Sequence, residues 1–188
     1  MKNIFITADH HFGHWNIVKH CNRPWTSIEE HDSTLIELWN SVVNKKDLVY
    51  ALGDLMMVPK QEDGTPRMKI YRRIRNRLNG KIILIKGNHD AGSKEYYDCF
   101  TEVCDYKEIK YNKTKIICSH YPFASWNGSF HGHNPMFHGH CHGRMDNSNY
   151  LRLDVGVDCW NYKPVHIDIL LEHINKKREL LKGKFTNT

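Results

Sequence analysis

Short apolar runs alternate with longer amphipathic stretches along the chain, and this alternation is its first structural signal. Three runs of six residues occupy 3–8, 47–52 and 81–86. Each run is bounded by polar or turn-forming residues, which predicts a strand. Later apolar segments at 115–118 and 151–157 predict further strands.

The stretches between these runs carry apolar residues at helical spacing. Ser27-Ile28-Glu29-Glu30 is a capping box that opens a predicted helix reaching about Val43. Pro66 begins a second, basic helix, which Asn79-Gly80 ends as a C-cap. A last helix is predicted over about 167–182. Strands that alternate with helices place the chain in the α/β class.

Each of the first three predicted strands ends in polar residues. Asp9 follows the first strand, Gly53-Asp54 the second, and Gly87-Asn88-His89-Asp90 the third. Because α/β folds place their ligands at the carboxyl ends of strands, we expect these side chains to meet. The irregular segments 55–66 and 121–137 are long for a compact domain, and loops of that length are often functional.

Length and composition fit a single domain over residues 1–188. At 40% hydrophobic, the chain can bury a sizeable core. No apolar run approaches the roughly 20 residues of a membrane span, and the N-terminus lacks the pattern of a signal peptide. We therefore expect a cytoplasmic protein whose six cysteines are free thiols.

The formal net charge of +6 favours contact with anions, including nucleic acid. The basic residues concentrate at 67–77 and 176–178. Runs of this kind are commonly solvated helix faces. A mildly basic surface is therefore the first interpretation, and a nucleic-acid surface is the alternative.

The number and clustering of the histidines indicate a chemical role. The chain has 14 histidines, and eight of them lie in two windows, 10–14 and 131–142. Imidazole at this density is typical of metal or proton chemistry.

Five motifs then follow one another in a fixed order. They are Asp9-His10-His11, Gly53-Asp54, Gly87-Asn88-His89-Asp90, Ser119-His120 and Gly139-His140-Cys141-His142. The series resembles the signature of the calcineurin-like metallophosphoesterases, and it is intact over about residues 4–142. One such motif alone is a weak signal, whereas five in order make a strong one.

The resemblance implies a fold, a cofactor and a set of site residues. The fold would be an α/β sandwich of two sheets flanked by helices, in α-β-β-α layers. Two divalent metal ions would be bound, and Asp54 would bridge them. The resemblance assigns the first ion to Asp9, His11 and His142, and the second to Asn88, His120 and His140. A hydroxide between the ions would attack phosphorus, and His89 would protonate the leaving oxygen or stabilise charge on the phosphate.

Elementary chemistry agrees with a two-metal site. Two cations about 3.5–4 Å apart can hold a phosphate and activate water. Imidazole with oxygen ligands suits Mn²⁺, Fe²⁺, Ni²⁺ or Zn²⁺, of which we expect Mn²⁺. Asp9 and His11 are two residues apart, as are His140 and His142. An extended backbone would project the members of each pair to the same side.

Residues around this set have two interpretations each. His14 either touches the substrate phosphate or caps the next helix, and Arg23 either binds a phosphate oxygen or lies on the surface. Asp90 is expected to orient His89. The other histidines of the two windows are expected to be structural or spare loop residues, namely His10, His131, His133 and His138.

The metal core does not define the substrate, because loops around it do. With few insertions to enclose a large partner, we expect a phosphodiesterase that acts on a nucleotide-like or cyclic phosphodiester. The alternatives are a phosphomonoesterase or phosphoprotein phosphatase, a nuclease suggested by the helix at 67–77, and a metal-bound module without catalysis. The segments at 12–16, 23–25 and 154–158 resemble a compact branch of the superfamily found in bacteria and phages.

Overall fold

Two β-sheets share the centre of the protein, for which the computed structural model describes residues 2–90 and 92–182. The first sheet has the spatial order β4-β3-β2-β1-β9. Its strands are β1 (Ile4–Thr7), β2 (Leu48–Ala51), β3 (Lys81–Ile85), β4 (Glu102–Cys104) and β9 (Val165–His166). β1 to β4 run parallel, and β9 pairs antiparallel with β1.

The second sheet has the order β5-β6-β7-β8. Its strands are β5 (Tyr106–Tyr111), β6 (Thr114–Ser119), β7 (Met136–His138) and β8 (Arg152–Asp154). β5 and β6 form an antiparallel hairpin, whereas β6, β7 and β8 run parallel. The carboxyl ends of β6, β7 and β8 therefore lie at one edge of this sheet.

The helices connect or follow the strands. They are α1 (Trp15–His20), α2 (Ile28–Asn40), α3 (Arg67–Arg77), α4 (Lys94–Tyr97) and α5 (Ile167–Leu180). Ser27 caps α2 by accepting the Glu30 N–H at 3.1 Å, as the capping box predicts. A single 3₁₀ turn, Val157–Cys159, follows β8 in the described chain.

Alternation along the strands of the first sheet divides the core in two. Phe5 and Ile82 belong to a cluster with the buried faces of α2 and α3. Ile6 and Ile83, on the opposite face, belong to a cluster with the second sheet and α5. β1, β2 and β3 are buried along most of their length, as their nearly continuous apolar sequences require, whereas the short edge strand β4 is partly exposed.

These features confirm the α/β class and the two-sheet sandwich with flanking helices. The outer face of the second sheet is covered by Phe123 and Trp126, from the segment that precedes β7. The sequence patterns do not predict β4, β5, β7, β9, α1 and α4, most of which are too short to show a hydrophobic period. β7 also corrects the prediction that 121–137 is wholly irregular.

Within residues 2–90 and 92–182, no helix has the length and apolar character of a membrane span. All six cysteines are unpaired, which confirms the prediction of free thiols.

Candidate metal centre

The predicted site residues gather where strands of both sheets end. β1, β2 and β3 are parallel, so their carboxyl ends meet at one edge of the first sheet. Asp9, Asp54 and Asn88 follow these ends. β6 of the second sheet ends beside them, because Nδ1 of His120 lies 2.9 Å from the carbonyl oxygen of Leu52.

Asp9, His11 and His142 form a first group, whose potential ligand atoms all lie within 4.8 Å of one another. Asp9 is fully buried, and its carboxylate accepts the His140 N–H at 2.9 Å. Burial raises the pKa of Asp9, although His142 opposes this shift. A cation beside Asp9 would stabilise the charged carboxylate that burial disfavours.

The backbone at these ligands is left-handed, so the prediction of extended Asp9-to-His11 and His140-to-His142 segments is wrong. φ is 60° at Asp9, 55° at His11, 69° at His140 and 49° at His142. Each such residue costs about 1–3 kcal/mol, and residues of this kind cluster at functional sites. The His11 N–H donates to the Asp54 carbonyl oxygen at 2.9 Å. The side chains therefore converge because two loops are tied together, not because the strand continues.

Asn88, His120 and His140 form a second group around the side-chain oxygen of Asn88. Asn88 Oδ1 lies 3.0 Å from His120 Nε2 and 3.1 Å from His140 Nδ1. Ligands on adjacent corners of an octahedron lie about 3 Å apart when metal bonds are about 2.1 Å long. His120 Nδ1 is held by the Leu52 carbonyl oxygen, which leaves Nε2 as the ligand atom. The spacing of this group thus fits one ion.

Asp54 lies between the two groups. Its Oδ2 is 3.6 Å from His11 Nε2 and 3.6 Å from His120 Nε2. Its Oδ1 accepts the backbone N–H of His89 at 2.8 Å. One carboxylate therefore faces a ring nitrogen of each group, as a bridging ligand must.

His11 gives an independent test of whether the residues fit a cation. Its Nε2 is buried without a hydrogen-bond partner in the described chain. Buried polar atoms nearly always have a partner, so an orphaned nitrogen facing Asp9 and Asp54 indicates a ligand atom. Burial, followed by the charge of Arg23, lowers the pKa of His11 and keeps its ring neutral. Four imidazoles, two carboxylates and one amide oxygen fit two divalent cations.

Glycine is required at two points of this arrangement. A Cβ on Gly53 would overlap the His120 ring, and a Cβ on Gly87 would overlap the Asp54 carboxylate. The loops after β2 and β3 can therefore approach the centre only as bare backbone.

The sequence model described as "Calcineurin-like phosphoesterase" matches residues 2–182. This chain belongs to the calcineurin-like phosphoesterase family. Membership makes it a phosphoric ester hydrolase of a family that uses divalent metal ions, and the clusters above are candidate ligands for them.

Relatives of this phosphoesterase occur in an archaeon and in phages. An uncharacterized protein of Methanocaldococcus jannaschii is 36% identical over 182 residues, covering 94% of this chain and 93% of that protein. The gene 66 protein of Mycobacterium phage L5 is 28% identical over 210 residues, covering 94% and 98%. The crystal structure of a protein of unknown function from Aquifex aeolicus has a TM-score of 0.66 at 22% identity, covering 94% and 99%. That structural likeness shows the fold.

His89 lies on the open side of the phosphoesterase centre. Its Nε2 is 3.9 Å from Asp54 Oδ2, and its side chain is 32% exposed. Its ring centroid lies 5.3 Å from that of His11 and 5.5 Å from that of His14. An imidazole in this position is placed to exchange a proton with a bound substrate.

His14 lies next to the first group rather than in it. Its Nδ1 is 3.2 Å from His11 Nδ1. It occupies the N-cap position of α1, but its side chain makes no capping hydrogen bond, so the capping interpretation is wrong. Burial, followed by the charge of His89, lowers the pKa of His14. Contact between His14 and the substrate stays a prediction.

Arg23 is neither on the surface nor directed at the opening, which corrects both interpretations of it. The residue is 4% exposed. Its Nε and one terminal nitrogen donate to the two oxygens of Asp158 at 2.8 Å each. Its other donors reach the carbonyl oxygens of Asp9 at 2.7 Å and His10 at 2.9 Å, and His31 Nε2 at 3.0 Å. Arg23 thus fixes the loop that carries the first group and has no donor left for a phosphate.

Asp158 is a site residue that the sequence motifs do not predict. Its Oδ2 lies 2.7 Å from His142 Nδ1. Burial raises the pKa of Asp158, but hydrogen bonds from His142 and Arg23 outweigh burial and lower the pKa to about 2. Burial lowers the pKa of His142, yet the hydrogen bond to Asp158 raises it to about 10. A carboxylate that holds Nδ1–H in this way leaves Nε2 of the imidazole for a metal ion.

Asp90 supports the backbone of the centre instead of orienting the His89 side chain. Its carboxylate accepts the N–H groups of Asp54 at 2.6 Å and Gly87 at 2.9 Å. It also accepts the Tyr96 hydroxyl at 2.9 Å. Asp90 therefore ties the loop after β2 to the loop after β3, and the expected role toward His89 is corrected.

The remaining histidines of the two windows divide by burial. His10 is fully buried, with its ring 5.3 Å from Phe12 and 5.0 Å from Trp39, which fits a structural role. His138 is not a loop residue as expected, since it ends β7 and is fully buried. His131 and His133 are exposed in the segment before β7.

Proposed function

We propose that the protein hydrolyses a phosphodiester, nucleotide-like or cyclic, at a centre of two divalent cations. The observation that carries the proposal is the position of Asp54 Oδ2, which lies 3.6 Å from a ring nitrogen of each ligand group. A single ion would not require one carboxylate shared between two sets of imidazoles, whereas a pair of ions would.

Each group of side chains would hold one ion. Asp9, His11 and His142 would bind the first, Asn88, His120 and His140 the second, and Asp54 both. The two cations supply charge that binds phosphate oxygens and lowers the pKa of water. Mn²⁺ is the proposed ion, and Fe²⁺, Ni²⁺ or Zn²⁺ suits the same donors.

His89 acts in this proposal as the general acid. Its side chain is 32% exposed, and its Nε2 lies 3.9 Å from the proposed bridging carboxylate. A phosphate bound to both ions would therefore lie beside this nitrogen. Transfer of the Nε2 proton to the leaving oxygen avoids release of an alkoxide, an effect worth about 10²–10⁴ in rate. His14, whose ring lies next to His89, is the candidate phosphate contact.

The open side of the second group supports a substrate with a substituent on each side of phosphorus. Asn88 and His140 are exposed. Tyr121 is 45% exposed, and its ring packs edge-on against the rings of His120 and His140. A nucleotide-like diester needs this kind of open surface, because both of its ester groups extend from the reacting phosphorus.

Two further parts of the proposal concern the whole chain. A single domain over residues 1–188 is supported by the apolar cluster to which both sheets and α5 contribute. A cytosolic location is supported by six free cysteines, since such thiols persist in a reducing compartment.

The test compares bis-p-nitrophenyl phosphate with p-nitrophenyl phosphate, using metal-stripped protein refilled with Mn²⁺. We expect faster turnover of the diester and loss of most activity in Asp54→Asn. His89→Gln is expected to keep its metal and to lose about 10²–10⁴ in kcat. Asp105→Asn is the matched control, because this exposed carboxylate pairs only with Lys86 in the described chain.

Each of the other outcomes would indicate a different function for this protein. Equal or faster turnover of the monoester would favour a phosphomonoesterase or a phosphoprotein phosphatase. Cleavage of DNA or RNA without turnover of either small ester would favour a nuclease. Metal binding with no hydrolysis, and no effect of His89→Gln on any property, would identify a binding module.

A further inference from the structure

A second cleft lies at the end of the second sheet opposite the metal centre. Its volume is about 570 Å³, and it opens between the β5–β6 turn, the segment before β7 and the last turns of α5. All its ionisable lining residues are basic, namely Lys113, Lys115, His131, His133, Arg178 and Lys182. β6 begins at this cleft and ends next to His120, so roughly 17 Å separates the two sites at about 3.3 Å per residue.

Two of the cations in the cleft are not neutralised. Lys113 has no ion-pair or hydrogen-bond partner in the described part of the chain. The Arg178 guanidinium donates only to uncharged oxygens, those of Asn175 at 2.8 Å, Gly132 at 3.3 Å and His133 at 3.2 Å. Its full charge therefore remains available to an anion.

The other two cations each have one acidic partner outside the cleft. Lys115 pairs with Glu108 at 2.8 Å, and Lys182 pairs with Glu179. Neither glutamate lines the cleft. The lining surface thus keeps a net positive charge.

The β5–β6 turn presents its lysine in an unfavourable conformation. φ is 45° at Asn112 and 67° at Lys113. Two-residue turns with positive φ at both positions favour Asn followed by Gly. Lysine replaces the favoured glycine here, and strained backbone of this kind clusters at ligand-binding sites.

An exposed aromatic residue directly precedes the cleft lining in the chain. Phe130 is 71% exposed and directly precedes His131 of the lining. Proteins that bind single strands combine a basic groove along the backbone with aromatic rings on which bases stack. An exposed phenylalanine that adjoins the lining of a basic cleft in sequence matches both requirements.

We propose that this cleft binds single-stranded nucleic acid. A backbone phosphate occupies the space between Lys113, Lys115 and Arg178, and a neighbouring base stacks on Phe130. The cleft is a concavity rather than a basic stripe, which fits one flexible strand better than a duplex. This site is separate from the metal centre and does not depend on the proposed hydrolysis.

The test is fluorescence anisotropy of a labelled 15-residue oligothymidylate, in EDTA so that the strand is not cut. The variant is Lys113→Gly combined with Lys115→Gln, since glycine is the residue that this turn favours. We expect binding at least about tenfold weaker, and a salt dependence of log Kd smaller by about 1.4, or about 0.7 for each lost phosphate contact. The matched control, Arg72→Ala with Arg73→Ala, removes two exposed cations from α3 and should change Kd less than twofold.

Two single variants sharpen the result. Phe130→Ala is expected to weaken oligothymidylate binding about tenfold without changing competition by inorganic phosphate. Glu179→Gln frees Lys182 and should tighten binding about twofold. Circular dichroism checks the fold of every variant.

Three results would overturn the proposal. One is the absence of strand binding by the wild-type protein at low salt. Another is unchanged affinity in the folded double-lysine variant, or loss of affinity in the α3 control instead. The last is displacement of the labelled strand by a mononucleotide or inorganic phosphate that is as effective, per phosphate, as displacement by unlabelled strand. That result would identify a site for small anions only.

Discussion

The two halves of the metal centre differ in how their ligands are supported. In the first half, Asp9 and His11 are buried, and the Arg23–Asp158 pair holds both the backbone at Asp9 and the His142 ring. The second half is more open, since Asn88 and His140 are exposed. There a backbone carbonyl holds His120, whose carboxylate neighbours are the ligands Asp54, at 3.6 Å, and Asp9, at 3.9 Å.

This difference predicts that the first half retains its metal ion and that the second half exchanges its ion more readily. The first half has a carboxylate of its own and a charged support network, both of which favour tight binding of a cation. The second half contributes only neutral ligands besides the shared Asp54. We therefore expect the first ion to be held more tightly, and the second ion to lie where substrate enters.

The largest effect should come from deleting one ligand in each half. His142→Ala is expected to weaken the tighter ion by more than about 100-fold, because ligand loss exceeds the loss of a ligand's support. His140→Ala should leave the tighter ion bound and remove only the weaker one. Metal content after dialysis, measured by mass spectrometry, distinguishes the two. Equal retention in both variants would remove the distinction between the halves.

A smaller effect is expected when the support alone is changed. Asp158→Asn keeps the shape of the side chain but removes the charge beside His142. Affinity for the tighter ion should fall about 10–100-fold, with little change at the weaker site. Calorimetric titration with Mn²⁺ reports both constants. An unchanged dissociation constant for the tighter ion would show that Asp158 supports only the fold.

The smallest effect concerns the metal-free protein in acid. The pKa of Asp158 is lowered from 3.8 to about 2. The ionised carboxylate therefore stabilises the fold fully above the unfolded-state pKa of 3.8, and this contribution is lost as the pH falls through the folded-state pKa of about 2. The contribution is about 2 kcal/mol at neutral pH. Denaturant unfolding between about pH 5 and pH 2 should show a smaller loss of stability in Asp158→Asn than in the wild type. An equal loss of stability with falling pH in Asp158→Asn and the wild type would contradict this prediction.

Parallel strand order explains why much of the centre could be predicted from sequence. Three apolar runs that each end in Asp or Asn must bring those ends to one edge if the strands are parallel, which β1, β2 and β3 are. The capping box at Ser27 is likewise a local signal with a local outcome. These features depend on neighbouring residues and on one topological rule.

What could not be predicted depends on contacts between distant parts of the chain. Arg23 and Asp158 are 135 residues apart, and no spacing rule links them. The left-handed backbone at Asp9 and His11 arises from bonds to the loop after β2, so an isolated segment gave no sign of it. The sequence predicts Asp90 as a partner for its neighbour His89, whereas Asp90 accepts hydrogen bonds from the backbone of two loops.

The central claim is a centre of two ions joined by Asp54, and calorimetric titration of the metal-stripped protein with Mn²⁺ tests it most directly. Activity on bis-p-nitrophenyl phosphate is followed in the same samples. We predict two ions per chain with unequal affinities, and turnover that appears only as the weaker site fills. Asp54→Asn should disturb both constants. Full activity with one ion per chain would contradict the two-ion centre. Two Mn²⁺ dissociation constants that Asp54→Asn leaves unchanged would also contradict it.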